Sequence, residues 1–459
     1  MAEAHDPTPV SALRKSLKSR HIAMISIGGI LGSGLFIQSS AAIAAVGPAI
    51  VVSYVLAGVL VLFVMRMLAE MAAVSPEAGS FTEYIRMGLG SWAGFTSGWL
   101  YWYFWVLALA VEALAGASIL RLWVDLPLWQ MGFGLLILLT GINLMSARAF
   151  GEAEFVLSTI KVIALVVFLL LGAAHLFGFT ATPPAAQANL FGSGGFAPFG
   201  IGAVFAGITT VVFALVGAEI VTVAAAESHE PGRAIAKLTT TLILRIMLFF
   251  VLSMFMVVAI IPWSSIHPGD SAFGMALARI GIPWVSQIMN GIVLVAALSC
   301  INAGFYVSSR VLFVLAAKSD APKWLVQTND RGVPVRAVLI GSLVACTALV
   351  GSIYFPTAIF SFLANASGTV MLAIYLMLSL AQIRHRRRIE REAPERLTFR
   401  AWLFPASSYA VIAAIAGVLL SMAFQPDLRP QLWAGLILTA LFSLAYAAVA
   451  GLRRSREPG

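Results

Sequence analysis

The sequence predicts an all-α integral membrane protein with twelve transmembrane helices. Of its 459 residues, 60 % are hydrophobic and only 11 % are Asp, Glu, Lys or Arg, whereas soluble domains carry about 25 % charged residues. That supply of charge is too small to cover a water-exposed surface. A disordered chain is also excluded, because disorder requires low hydrophobicity. The apolar residues instead form runs near the length of about 20 residues that crosses a bilayer as a helix.

Twelve apolar segments are separated by polar, proline or glycine residues. The polar residues 1–21 show no signal peptide, so the first segment is expected to remain as a helix. The eighth is longer than a span requires, and we expect it to end in a cytoplasmic helical extension. In chain order the segments are residues 22–46, 50–73, 92–120, 128–147, 154–177, 201–226, 240–262, 283–317, 336–354, 357–383, 402–424 and 431–451.

The positions of Lys and Arg predict the orientation. With the N-terminus inside, only Arg121, Arg279 and Arg429 lie on the outer side. Because Lys and Arg concentrate in cytoplasmic loops, both the tail 1–21 and the tail 452–459 are predicted to be cytoplasmic. The net charge of +9 is then a topology signal, and the arginines crowded between residues 384 and 400 are expected to anchor the topology and to contact anionic membrane lipids. Nucleic acid is not an expected partner, since the basic residues are scattered over short loops without an aromatic platform.

The first segment carries four glycines within the seven residues 28–34. Each glycine costs about 1 kcal/mol relative to Ala in a helix interior, and these lie on all sides of the helix instead of along one packing face. A helix break is therefore favoured over close helix packing. Broken helices occur at membrane depth only where they line a cavity. Their free N–H groups can hold a carboxylate and their free carbonyls an ammonium, so the break suits a zwitterion.

A weaker second break is predicted at Gly217 in the sixth segment. If the first ten segments form two repeats of five, segments one and six hold equivalent positions. Because five is an odd number of membrane crossings, the second repeat has the opposite orientation to the first. The predicted repeats are residues 22–177 and 201–383, followed by two C-terminal helices within 402–451. Interrupted helices at matching positions of inverted repeats indicate a binding site near the membrane midplane.

Three ionisable residues lie deep within predicted spans, where a charge costs about 2.5–3.5 kcal/mol and marks a functional position by default. They are Glu112, Lys161 and Glu219, and for each a structural polar contact is the alternative. A buried amine can gain and lose a proton, so Lys161 is the strongest candidate for proton coupling and Glu219 the second. Glu70 and Glu227, at inner segment ends, are expected to form structural salt bridges.

No enzyme pattern is present: the sequence lacks a P-loop, His-Glu-x-x-His and Gly-x-Ser-x-Gly. Cys300 and Cys346 both lie in apolar runs and form neither a disulfide framework nor a metal cluster. Neither a cofactor nor an obligate protein partner is expected. A membrane sensor and a channel remain as alternatives to a transporter. A sensor needs a soluble signalling domain, for which the tails are too short, and a channel conducts without saturable uptake.

Several stretches resemble the amino acid transporter branch of the amino acid–polyamine–organocation (APC) superfamily. They are residues 17–21 followed by 28–36, and the second-segment signature from Glu70 to Phe81. Within this branch the chain is most similar to bacterial 4-aminobutyrate (GABA) permeases, although aromatic, proline and basic amino acid permeases share most of the framework. The stretches with this similarity are residues 65–71, 98–102, 104–107, 217–222 and 224–228.

The resemblance implies a LeuT-type fold and proton-coupled amino acid uptake across the bacterial inner membrane, with the proton as coupling ion. Carried over by position, the backbone N–H groups of Ser33 and Gly34 hold the substrate carboxylate. The carbonyl of Ile30, with those of Phe213 and Val216, holds the amino group.

The resemblance also assigns the remaining walls of the site. Phe213 covers the substrate, Lys161 takes the place of a sodium ion in sodium-coupled relatives, and Asn302 and Glu112 are secondary wall residues. Gly32, Ala214 and Gly217 complete the predicted substrate site. The usual family pattern Phe-Ser-Phe-x-Gly departs here to Phe-Ala-Leu-Val-Gly over residues 213–217. The lost hydroxyl and aromatic ring leave proline, aromatic or other neutral amino acids as alternative substrates.

Overall fold

A computed structural model describes residues 24, 30–36, 38–75, 80–220, 222, 247–354, 358–426 and 428–454, and this part of the chain is helical without β-strands. The predicted tail 1–21, most of residues 22–29 and most of 221–246 lie outside the described residues. Glu227 and the glycines at 28 and 29 are among them.

The helices follow one another with short connections. In chain order they are α1 Ser33–Phe36, α2 Gln38–Val46, α3 Ile50–Val74, α4 Phe81–Leu89, α5 Ser91–Leu120, α6 Leu128–Asn143, α7 Ala147–Leu176, α8 Ala186–Phe191, α9 Gly200–Leu215, α10 Met247–Ile260, α11 Ala272–Arg279, α12 Pro283–Ala317, α13 Val335–Tyr354, α14 Ala358–Glu392, α15 Ala406–Phe424 and α16 Arg429–Arg454.

Seven helical stretches of the described chain are long and apolar enough to cross a membrane, and four shorter apolar helices accompany them. The first stretch, Gly34–Val74, is divided by a 3₁₀ turn at Gly47–Ala49. Gly47 has a φ of 74°, and a Cβ atom there would lie 2.5 Å from Cγ of Pro198. Only glycine fits this backbone and this close approach, so Gly47 separates the first two predicted segments.

Two helices extend well beyond their predicted bounds. Helix α7 begins at Ala147 instead of 154, because the Ser146 hydroxyl accepts a hydrogen bond from the Ala149 N–H at 3.0 Å and caps it. Its first two turns are partly polar, so they do not belong to the apolar run from which the helix start was predicted. Helix α14 continues past residue 383 to Glu392, in a polar extension where Arg388 and Glu392 form an i,i+4 ion pair at 2.8 Å.

Helix α5 forms the centre of the bundle. It is buried along most of its length and packs against α12 and α14. Its aromatic residues pack on one another: the ring of Trp105 meets those of Tyr101 and Phe104 nearly edge-on, at centroid distances of 6.1 and 5.4 Å. Helix α5 is therefore the most enclosed of the seven long apolar stretches among the described residues.

A buried carboxylate joins three elements at one end of the bundle. Glu70 of α3 accepts hydrogen bonds from Nε2 of Gln382 at 2.7 Å and from the Ala401 N–H at 2.6 Å, and it pairs with Arg386. The structural salt bridge predicted for Glu70 is confirmed. It ties α3 to α14 and to the connection that precedes α15.

Candidate functional site

The chain is interrupted where the first break is predicted. Residue Ile30 is helical, Leu31 and Gly32 form a bend, and a new helix, α1, starts at Ser33. The Gly32 N–H donates to the Ile30 carbonyl at 2.9 Å, which closes a tight turn in place of a helical hydrogen bond. The backbone is thus non-helical at the predicted substrate-binding position.

The second break is also present. Helix α9 ends at Leu215, and Val216–Glu219 form turns. Gly217 has a φ of 120°, a conformation that strains any residue with a Cβ atom. The local conformation of one glycine therefore explains why the apolar run 201–226 is not one continuous helix.

The two breaks touch each other and enclose a small cavity. A Cβ atom at Gly34 would lie 3.2 Å from Cα of Ala214, so the two backbones are in close contact. The cavity measures about 20 Å³, enough for about one water molecule. An amino acid can enter only if the walls move apart. The lining combines backbone of both breaks with side chains of α5 and α12: Ile30, Gly32, Gly34, Phe104, Trp105, Ala108, Glu112, Ala214, Val216 and Cys300.

Glu112 supplies the acidic group of this lining. Its side chain is buried, and a Cβ atom at Gly32 would lie 3.0 Å from both Oε1 of Glu112 and Sγ of Cys300. The carboxyl group therefore faces the backbone of the first break, where it can attract an ammonium group. Cys300 was not predicted as a site residue, since nothing distinguishes it within its apolar run.

Glu219 lies beside the cavity lining and holds the second break. Its carboxylate accepts hydrogen bonds from the Tyr101 hydroxyl at 3.0 Å, the Tyr375 hydroxyl at 3.3 Å and the Gly217 N–H at 3.2 Å. The last contact closes the turn onto its own side chain. Tyr375 was not predicted, because only the packing of α14 brings it here.

Lys161 lies in a separate buried network between α7 and α12. Its Nζ donates to the Ser299 hydroxyl at 2.7 Å, and that hydroxyl donates to Oε1 of Glu154. Ser158 donates to the same oxygen at 2.9 Å. Lys161, Glu154 and both serines are fully buried. The prediction found the lysine but missed Glu154, which lies at the predicted start of its segment.

The structure places Asn302 in the same network and not in the cavity lining. Its Nδ2 donates to Oε2 of Glu154 at 3.1 Å, and its Oδ1 accepts from Nδ2 of Asn143 at 2.9 Å. The predicted set thus separates into a cavity group around Glu112 and a network group around Lys161. The side chains of Ser33 and Phe213 lie outside the described part, so the predicted cover by Phe213 stays a prediction.

Two broken helices that meet at a buried, partly acidic cavity, inside a bundle of apolar helices and beside a buried lysine, define a secondary transporter. No cluster of His, Cys, Asp or Glu within the described residues could hold a metal ion. The model of the amino acid permease family matches residues 21–453. The chain belongs to this family and is a permease, not an enzyme.

Individual relatives agree with this assignment. A gamma-aminobutyric acid permease of Bacillus subtilis (strain 168) is 44 % identical over 438 residues, covering 95 % of this chain and 93 % of that protein. One of Escherichia coli (strain K12) is 42 % identical, covering 89 % and 88 %. An aromatic amino acid transport protein of Corynebacterium glutamicum is 34 % identical, covering 97 % and 98 %. The family resemblance is confirmed, and the chain is a multi-pass protein of the bacterial inner membrane.

Proposed function

We propose that the protein is a proton-coupled importer of 4-aminobutyrate that works by alternating access. The observation that carries this proposal is the meeting of two broken helices beside the buried carboxyl group of Glu112. Free backbone groups and a carboxylate can together hold a zwitterion. Relatives named for gamma-aminobutyric acid are 41 to 44 % identical over most of the chain.

In the proposed complex the substrate carboxylate binds the backbone N–H groups of Ser33 and Gly34. The ammonium group lies between Glu112 and the carbonyl groups of the breaks, including that of Ile30. The Gly32 and Gly217 N–H groups already have partners in the turns, which leaves the start of α1 as the donor for the carboxylate. The small cavity then corresponds to a closed site, which rocking of one bundle against the other opens.

The proposed topology has twelve spans. Seven long apolar stretches, the first of them divided at Gly47, and four shorter apolar helices supply that number. Residues 22–177 and 201–383 form the inverted repeats of a LeuT-type fold, followed by the two helices α15 and α16. Both termini are cytoplasmic in this arrangement, as the distribution of Lys and Arg predicts.

Lys161 is the proposed coupling residue, and the proton is the coupling ion. Support comes from its complete burial and from its hydrogen bond to Ser299, one residue before the cavity-lining Cys300. A protonation change at Lys161 therefore occurs close to the wall of the substrate cavity. The sequence predicts Glu219 as a second proton-coupling group, but its hydrogen bonds to Tyr101, Tyr375 and the Gly217 N–H support a role in holding the second break.

Uptake by the purified protein in liposomes tests the proposal. Labelled 4-aminobutyrate should accumulate when the outside is more acidic than the inside, and a protonophore should abolish accumulation. The same liposomes without protein are the control. Uptake that is indifferent to the gradient would contradict proton coupling, and conductance without saturable uptake would indicate a channel.

An aromatic amino acid permease is the second candidate, because relatives named for aromatic amino acid transport are 34 % identical over most of the chain. The cavity favours a smaller substrate, since Phe104 and Trp105 already occupy its wall. A competition panel of unlabelled phenylalanine, proline, alanine and 4-aminobutyrate separates the candidates. Stronger inhibition by phenylalanine than by 4-aminobutyrate would favour the second.

A further inference from the structure

We propose that Glu154 receives the proton that Lys161 releases, and that the Ser299 hydroxyl relays it. This inference rests on the proposed proton coupling at Lys161 and adds the exit route toward the cytoplasm. The three side chains form a continuous line across α7 and α12: the lysine Nζ donates to Ser299, and Ser299 donates to Glu154.

The direction of these two hydrogen bonds suits a relay. The Ser299 oxygen accepts a proton from Nζ as the N–H bond breaks, while its own O–H bond breaks and the hydrogen joins Oε1 of Glu154. An ammonium and a carboxylate become an amine and a carboxylic acid, and the serine ends unchanged apart from the rotation of its hydroxyl. No other reactant is required.

The position of Glu154 gives the relay its direction. It precedes Lys161 by seven residues in α7, about two helical turns, and in the proposed orientation this lies on the cytoplasmic side. A second carboxyl group, that of Glu112 in the cavity lining, also interacts with Lys161 electrostatically. Lys161 therefore lies between a carboxyl group on the substrate side and one on the cytoplasmic side.

The surroundings of Glu154 prepare it to alternate between two states. Ser158 and Asn302 donate to its two oxygens at 2.9 and 3.1 Å, and Asn143 holds Asn302 in place. These donors are neutral and stay in position when the carboxylate is neutralised. Because Glu154 is held in place and the Ser299 hydroxyl bridges it to Lys161, the proton transfer needs no large side-chain movement.

Matched variants in liposomes test the relay. Ser299→Ala removes the hydroxyl and Ser299→Thr keeps it; Glu154→Gln removes the acceptor and Glu154→Asp keeps a carboxyl group. Two readouts are taken: accumulation of labelled 4-aminobutyrate driven by a pH gradient, and counterflow exchange at equal pH, which needs binding and alternating access but no net proton release. A trapped pH indicator reports proton entry directly.

We expect gradient-driven accumulation to fall by at least about tenfold in Ser299→Ala and in Glu154→Gln, and proton entry to fall with it. Counterflow should change by less than about twofold, because it requires no net proton release. Ser299→Thr should keep accumulation, and Glu154→Asp should retain part of it. Full accumulation by folded Ser299→Ala would overturn the relay. An equal fall of counterflow and accumulation in all four variants, at unchanged elution from gel filtration, would make the network structural. Gradient-independent uptake by the unmodified protein would instead contradict the proposed function before any variant is measured.

Discussion

Two buried glutamates, Glu154 and Glu219, are both completely enclosed and both accept three hydrogen bonds, but their partners differ. Glu154 is connected through one hydroxyl to the ammonium group of Lys161. Glu219 accepts from two phenols and one backbone N–H, all of them neutral. The first carboxylate is therefore part of an ion pair with a hydroxyl between its members. The second carboxylate accepts hydrogen bonds that stabilise the turn at Gly217.

The difference distinguishes the proposed proton coupling through Glu154 from the stabilisation of a helix break by Glu219. A charge paired through a hydroxyl can be neutralised together with its partner, since one proton moves between them. A carboxylate that holds the turn at Gly217 stabilises a backbone conformation, and its removal affects every step that needs the break. Both glutamates are completely buried, so burial alone does not distinguish the two proposed roles, whereas their hydrogen-bond donors do.

The largest effect is expected for Lys161→Met. It removes the cation and leaves Glu154 buried and uncompensated, which costs about 3–5 kcal/mol when one partner of a buried pair is lost. The thermal unfolding temperature in detergent should fall, and gradient-driven accumulation should disappear. Adding Glu154→Gln to the same chain should restore much of the stability without restoring coupling. A double variant less stable than either single variant would show that the two groups do not compensate each other.

Glu219→Gln is the direct challenge to the comparison. Hydrogen bonds to a neutral amide are weaker than those to a carboxylate, and an Nε2 group in place of Oε2 would oppose the Gly217 N–H donor. We expect a loss of about 3 kcal/mol and a fall in uptake of about a hundredfold. Because the break serves binding itself, counterflow and gradient-driven uptake should fall by the same factor. The matched control is Glu154→Gln, which should change their ratio. A selective loss of gradient-driven uptake in Glu219→Gln would place Glu219 in the coupling path.

The sequence predicted the break at Gly217 and the burial of Lys161, because both signals are local: a glycine that permits a positive φ, and a cation inside an apolar run. It could not predict the pairing of Glu154 with Ser299, since serine gives no signal in an apolar helix and their contact arises only from the packing of α7 on α12. Glu154 was also missed because the first turns of α7, which follow the cap at Ser146, are partly polar. Glu154 therefore fell at the edge of the apolar run instead of inside it. The apolar runs predicted helix positions well, whereas capping and tertiary packing decided the rest.

Asn302→Ala distinguishes the predicted wall position from the observed one. In the structure Asn302 donates to Glu154 at 3.1 Å and accepts from Asn143 at 2.9 Å. The variant loses one hydrogen bond to a charged group and one between neutral groups, so the stability should fall by about 2.5 kcal/mol. The KM for 4-aminobutyrate should stay within about twofold, because neither hydrogen bond is made to the substrate. Uptake kinetics and detergent unfolding on one preparation provide both values. A raised KM at unchanged stability would return Asn302 to the cavity wall.

The smallest effect is expected for Tyr375→Phe, which removes the longer of the two phenol contacts to Glu219, 3.3 Å against 3.0 Å for Tyr101. Longer hydrogen bonds are weaker, and two donors still hold the carboxylate, so the loss should be about 1 kcal/mol and about fivefold in uptake. Tyr101→Phe is the matched control and should cost more. If Glu219 only positions the break, both variants lower counterflow and accumulation together. A Tyr375→Phe protein that exchanges normally but accumulates poorly would mean that this phenol acts on a proton, and the contrast between the two glutamates would then have to be redrawn.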